Sequence, residues 1–350
     1  MYKGTLNVLG LMSGTSLDGM DAALVQFEND GTLGWKLLET YDFSYPKELK
    51  SLVNRCFNDM SILEQVDLAF AQWTTECIAE VQAKTAFEIH AVGAHGQTIF
   101  HDPLRKFTFQ AGCRSSIAKN TGLPTVTDFR IQDVLLGGQG APLVPMGDYL
   151  LFGAFEAALN LGGFANVSIG KPLLKDGVAF AFDICPVNYV LNSFARELKL
   201  EYDDRGTLAR RGAINGWVLD ALNSLDYFEW APPKSLGAEW VEEHVLEKID
   251  YLKPADGLAT YCEHIALQVG EVLKGKKVLV TGGGAWNDYL IGRIAEYGVE
   301  LVRPEKELVN FKEAIIFALL AYLRFTGQFN VLGHTTGSGK NHSSGKVFWP

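Results

Sequence analysis

Leu6-Asn7-Val8-Leu9-Gly10-Leu11-Met12-Ser13-Gly14-Thr15-Ser16-Leu17-Asp18-Gly19-Met20-Asp21-Ala22-Ala23-Leu24-Val25-Gln26-Phe27 reads as strand, glycine turn, strand. Leu6, Val8 and Leu11 lead into the turn, and Ala23, Val25 and Phe27 alternate out of it. Glycines let the main chain bend tightly and come close to a ligand. The exposed N–H groups with the Thr15 and Ser16 hydroxyls would make an anion cradle. Asp18 and Asp21 are hard oxygen ligands of the kind a phosphate-bound magnesium takes, directly or through water. An ordinary hairpin with a polar turn fits the same residues, because one glycine turn is a weak signal.

The theme recurs downstream. Ala157 to Ile169 is again strand, Gly162-Gly163 turn, strand, and Lys277 to Thr281 is a strand running into Gly282-Gly283-Gly284. Three such turns suggest convergence on one polyanion, against the simpler view of three unrelated turns in an α/β chain. Helical periodicity marks Pro46–Phe57, Ile62–Ala86, Val187–Leu198, Ala255–Leu273 and Asp288–Glu296. Lys312 to Phe325 is apolar nearly all round, which predicts a buried helix. Gly137 to Pro142 is the richest loop and the expected hinge, and the polar tail 330–350 is expected to run over the surface.

With 350 residues, 47% of them hydrophobic, the chain can fill two cores. A net charge of −10 argues against a nucleic-acid or anionic-membrane surface. Five scattered cysteines without a CxxC pair suit a reducing, cytoplasmic setting. The opening residues lack a signal-peptide layout, and the longest greasy stretch is too short to span a bilayer.

Asp183 ends the apolar strand that begins at Ala179, where ligands bind in α/β proteins. It could take a proton from a hydroxyl or water, or cap the helix starting near Pro186. His95 and Gln97 are candidates for hydrogen bonds to a sugar. The six-residue spacing of His95 and His101 fits no zinc pattern. Arg130 could hold a substrate carboxylate bidentately or pair structurally with neighbouring Asp128. Glu313 stands at the expected start of the apolar helix, where the helix dipole alone would favour an acid. Gly337-Ser338-Gly339-Lys340-Asn341 imitates the end of a P-loop, but no strand feeds it and Asn341 replaces the hydroxyl residue. Gly282 to Asn287 imitates a dinucleotide turn, but its third glycine position is Asn287.

SGTSLDGMD, GAHGQT, TDFR with GGQGAPLVP, LNLGGFANVS, PPKSLGAEW, VTGGGAWN and KEAIIFALLA, in this order, resemble the anhydro-N-acetylmuramic acid kinase family. That family belongs to the superfamily of sugar kinases, actin and heat-shock chaperone ATPases. The resemblance implies an α/β, two-lobed actin-like ATPase fold, a duplicated ribonuclease H-like core with ATP in a cleft between lobes. Residues 1–135 with 326–350 would form one lobe and 136–325 the other. It also implies that Gly14, Thr15, Ser16, Leu17, Asp18, Gly19, Met20 and Asp21 form the ATP motif. Gly162, Gly163, Gly282, Gly283 and Gly284 match its other nucleotide loops, Asp183 its catalytic base and Glu313 a sugar contact. ATP and Mg²⁺ would be used, with Asp18 near the metal, and an amino sugar of peptidoglycan recycling would be opened by water and phosphorylated.

The family usually follows its aspartate with Thr-Gly-Pro-Gly, where this chain has Ile184-Cys185-Pro186-Val187. That departure predicts a tighter or differently shaped pocket. It also keeps two other functions in view: a same-fold kinase for another sugar, and a non-catalytic nucleotide-binding regulator. The oligomeric state, a homodimer included, is not legible.

Overall fold

The computed structural model describes residues 4–14, 17, 19–170, 179–232 and 234–350. The chain divides into two compact units, Met1–Leu151 with Phe311–Pro350, and Phe152–Asn310.

The first unit is built on a six-stranded sheet. β1 (Thr5–Ser13), β2 (Gly19–Asn29) and β3 (Leu33–Ser44) form an antiparallel meander, with Leu11 opposite Ala22 across the first pair. β4 (Ala91–Ala94) lies parallel to β1 on its other side, and β7 (Thr125–Thr127) parallel to β4. β5 (Gln97–Asp102) and β6 (Phe107–Ala111) make a separate hairpin between them in the chain. In the second unit β8 (Ala157–Leu161), β9 (Phe164–Gly170) and β10 (Ala179–Pro186) repeat the meander. β11 (Lys277–Thr281) then runs parallel to β8, and β12 (Glu300–Val302) parallel to β11. One strand order, meander then two parallel strands, is thus used twice. This is the duplicated ribonuclease H-like architecture.

The apolar helix is longer than its greasy stretch. It runs Lys306–Phe325, because its first turns carry an amphipathic pattern that an all-apolar criterion passes over. Glu313 is therefore well inside the helix, and the dipole explanation for an acid there falls. Gly10 and Gly93 sit side by side in the β1–β4 register and give the helix a flat path. A Cβ at Gly10 would lie 1.9 Å from the Ala314 carbonyl oxygen, and one at Gly93 2.5 Å from that of Phe317. This contact holds 311–325 in the first unit, although those residues were expected in the second lobe, as were 136–151.

Two further expectations give way. The tail is not a surface strap. β13 (Lys346–Phe348) pairs antiparallel with β7, and Asn330 and Ser344 are buried, the Asn330 side-chain amide donating to the Ser344 carbonyl and accepting from the Ser344 N–H. Gly137 to Pro142 is not the junction. The loop lies within the first unit, tied down by buried Asp133, whose Oδ2 accepts from the Gly140 N–H at 2.7 Å. The other oxygen of Asp133 accepts from the Thr336 hydroxyl at 2.6 Å, so one carboxylate joins loop and tail. Among the described residues no helix is long and apolar enough to cross a membrane.

Candidate active site

In the second unit, β10 ends in a register shift between Asp183 and Pro186. Asp183 is held at four points there. Its Oδ1 accepts from the Asn166 side-chain amide and its Oδ2 from the Leu236 N–H at 2.8 Å. Its own N–H donates to the Lys234 carbonyl at 3.1 Å, and its carbonyl accepts from the Tyr227 hydroxyl at 2.6 Å. Burial raises the Asp183 carboxyl above the usual carboxylate range, while the Leu236 and Asn166 donors pull it back down. The following helix starts at Asn188, with Val187 at its N-cap and no side-chain cap. Asp183 is therefore not a capping residue.

Ile184, Cys185 and Val187, the departure from the family pattern, are buried within the hydrophobic core of this unit. Their bulk fills the core behind the strand. Burial correspondingly pushes the Cys185 thiol up and keeps it protonated.

The two glycine turns of this unit are neighbours. Asn188 donates its N–H to the Gly162 carbonyl and its side-chain amide to the Leu161 carbonyl, and a Cβ at Gly283 would meet that same amide nitrogen at 3.6 Å. Gly282 has a left-handed backbone (φ 82°), and its Cβ would strike the Asn160 side chain at 2.3 Å. Gly284 is pressed against Leu161, with 2.8 Å from its built Cβ to Leu161 Cβ. These two are glycines for packing. A Cβ at Gly163 would meet nothing within 4 Å, and one at Gly162 or Gly283 only ordinary contact distances, so these three can admit a ligand close to the main chain.

In the first unit, the stretch Gly14 to Asp21 covers the connection from β1 to β2 and the first three residues of β2. Thr15, Ser16 and Asp18 lie outside the described residues. Leu17 and Met20 are buried in the core, so the turn can offer a ligand only their main chain. Leu17 takes a left-handed backbone (φ 53°), which is uncommon for a branched side chain and marks a locally strained turn. Gly19 is required by packing, since its Cβ would lie 2.7 Å from the Phe43 carbonyl oxygen. Asp21 sits opposite Met12 and Asp42 in the sheet.

Of the residues expected to face a sugar or its carboxylate, His95, Arg130 and Glu313 come together. Arg130 donates from Nε to His95 Nε2 at 3.0 Å and from Nη1 to the Gly140 carbonyl at 2.7 Å. A guanidinium only donates, so His95 is a neutral imidazole with its proton on Nδ1. Burial and the Arg130 charge hold its pKa well below the ordinary value. Burial also lowers Arg130 to about 10, against the pull of the Glu313 charge. Glu313 is itself raised by burial, opposed by Lys312 and Arg130. Asp128 pairs with Lys346 at 2.6 Å, so the Asp128–Arg130 pair expected as an alternative does not form. Gln97 and Gln110 are buried, and each has an Oε1 without a hydrogen-bond partner. A buried amide oxygen without a donor costs about 1–3 kcal/mol, which a ligand hydroxyl could relieve. His101 Nδ1 bonds the Thr108 hydroxyl at 2.9 Å, and among the described residues no cluster could hold a metal ion.

Sequence reading missed Asn166, Tyr227, Gln110 and Asp133. The available signal was Asn160 and Asn166 within strands, where asparagine is disfavoured. Asp133 gave no signal, since its partners Gly140 and Thr336 are far apart in the chain.

A family model described as anhydro-N-acetylmuramic acid kinase matches residues 6–350. Curated relatives named anhydro-N-acetylmuramic acid kinase include one from Vibrio cholerae, 34% identical over 98% of each chain. One from Aliivibrio fischeri is 36% identical over 97% of this chain and 98% of its own. Another from Sulfurovum is 33% identical over 97% of this chain and 98% of its own. A match of this identity, running through both units, means that the chain belongs to the anhydro-N-acetylmuramic acid kinase family.

Proposed function

We propose that Asp183 is the general base of an ATP-dependent kinase that opens 1,6-anhydro-N-acetylmuramic acid and phosphorylates it, in peptidoglycan recycling and amino-sugar metabolism. The observation that carries this is a half-buried carboxylate, raised by burial and gripped by fixed donors, in the unit that bears the open glycine turns. Asp183 takes a proton from water as the water oxygen bonds to C1 of the sugar. The C1–O6 bond breaks, and O6 bonds to the γ-phosphorus of ATP as ADP leaves. The product is N-acetylmuramic acid 6-phosphate. The chain's share of such a transfer is positioning and charge stabilisation.

Gly162, Gly163 and Gly283 would let the phosphates approach the main chain, as would the Gly14–Asp21 turn. Gly282 and Gly284 would shape that surface. Arg130 would hold the lactyl carboxylate, with His95, Gln97 and Glu313 on the sugar. Asp18 and Asp21 would supply hard oxygen donors to a phosphate-bound Mg²⁺, which when bound would neutralise charge on the phosphates.

An ADP-release assay with the anhydro sugar, compared with plain hexoses, tests the assignment. Turnover is expected with the anhydro sugar alone, and turnover with hexoses alone would overturn it. Asp183→Asn should bind ATP as the wild type does and lose about 10²–10⁴-fold in rate, the usual worth of a general base. Wild-type turnover in that variant would remove Asp183 from the role.

A further inference from the structure

Four polar side chains lie in one cross-strand row of the second unit's sheet. Thr281 on β11 faces Asn160 on β8, Asn160 faces Asn166 on β9, and Asn166 faces Asp183 on β10. Directly opposed residues put their side chains on the same face of a sheet. The next row, Val280, Leu159, Val167 and Phe182, belongs to the core. The polar row therefore lies on the opposite face, and Asn166 is exposed there. Neither packing nor strand propensity accounts for an asparagine at that position.

Its chemistry does. A carboxylate only accepts, so the end of Asn166 facing Asp183 is its NH₂, donating to Oδ1. The Leu236 N–H holds Oδ2 from the other side, on a segment anchored by the Asp183 N–H to Lys234. Lys234 in turn donates to the Tyr227 carbonyl at 2.9 Å and lies 4.5 Å from the centre of the Tyr227 ring. Tyr227 closes the circuit through its hydroxyl to the Asp183 carbonyl. The main-chain grips fix where Asp183 sits. Among the described residues only Asn166 and Leu236 fix how its carboxylate is turned, and only Asn166 does so with a side chain.

We infer that Asn166 is a positioning residue that orients the Asp183 carboxylate and keeps it ionised for proton transfer. This rests on Asp183 being the base. The other titratable groups around Asp183 are Tyr227, Cys185 and Lys234. Burial keeps the first two neutral, so Asn166 is the side chain whose loss changes the carboxylate's ionisation most directly.

The test is the pH profile of kcat/KM for the anhydro sugar in Asn166→Ala and Asn166→Asp, with Asp183→Asn alongside. Loss of the donor should move the acid limb of Asn166→Ala upward by about half to one pH unit. In Asn166→Asp two carboxylates face each other across strands, and the limb should rise further, by more than one unit. Because Asn166 is exposed, melting temperature and KM for ATP should stay at the wild-type values in Asn166→Ala. An unmoved acid limb in Asn166→Ala, with Asp183→Asn inactive, overturns the positioning role and leaves the base standing. Turnover by Asp183→Asn would instead overturn both.

Discussion

A Cβ added at Gly163 meets no atom within 4 Å, and the backbone there is outside the left-handed region. Folding places no demand on glycine at that position, whereas at Gly282 both the backbone angle and the Asn160 side chain do. The two glycines looked equivalent in the sequence, since motif spacing does not say which main chain is left-handed or crowded. The structure separates them, and the separation is testable. Gly163→Ala should leave stability within about 0.5 kcal/mol, as exposed substitutions do. If phosphate approaches this turn, the added methyl raises KM for ATP several-fold with KM for the sugar unchanged. Steady-state kinetics in both substrates and a thermal melt decide it, and an unchanged KM for ATP would take Gly163 off the nucleotide surface.

At the scale of elements, strands were legible where apolar alternation ended in glycine, as at β1–β2, β8–β9 and β11. Less legible were elements whose partners are distant. β7 and β13 are three residues each, and exist because β13 pairs with β7 and β7 with β4. Asn330 and Ser344 read as surface residues, yet they are buried because Asn330 donates to Leu320 and Ser344 carbonyls and the Ser344 hydroxyl to Phe129. Satisfied polar groups can sit inside a protein, and composition does not reveal satisfaction. The Gly10–Gly93 pair was likewise visible only once the helix lay across it. Gly93→Ala pushes a methyl to 2.5 Å from the Phe317 carbonyl oxygen and 2.7 Å from Ala321 Cβ. Overpacking of this kind costs about 1–3 kcal/mol, and each kcal/mol lowers the midpoint of a domain of this size by about 2–4 °C. Gly292→Ala is the opposite case, since it lies within the helix Asp288–Glu296 with nothing near its Cβ. It should stabilise by about 0.5–1 kcal/mol, the helix-propensity gain of alanine over glycine. A Gly93→Ala midpoint at or above the wild type's would mean that the helix Lys306–Phe325 does not ride on the glycine pair.

At the scale of the whole molecule, each unit contains a buried histidine kept neutral. In the first it is His95 beside Arg130. In the second it is His264, whose Nδ1 bonds Asn223 Oδ1 at 2.6 Å and whose Nε2 is buried without a partner. Burial takes His264 from 6.5 to about 3. Between those values the unfolded chain binds a proton that the folded chain does not. Stability is therefore fully present above about pH 6.5 and is lost as pH falls, at up to about 1.4 kcal/mol per unit for each such histidine. Carboxylates raised by burial, Asp183 and Glu313, work in the other direction. A comparison of variants isolates the histidine. His264→Gln keeps a donor for Asn223 and has no proton to gain, so its stability should fall less steeply than the wild type's from pH 6.5 to 5. Denaturant unfolding at both pH values measures this, and parallel losses in the two proteins would mean that His264 is protonated in the fold. The consequence reaches beyond one residue. If both histidines resist protonation, the pH at which activity fails on acidification carries two contributions, the loss of the base and the loss of the fold. Only rates taken where the melt shows the chain still folded report on Asp183.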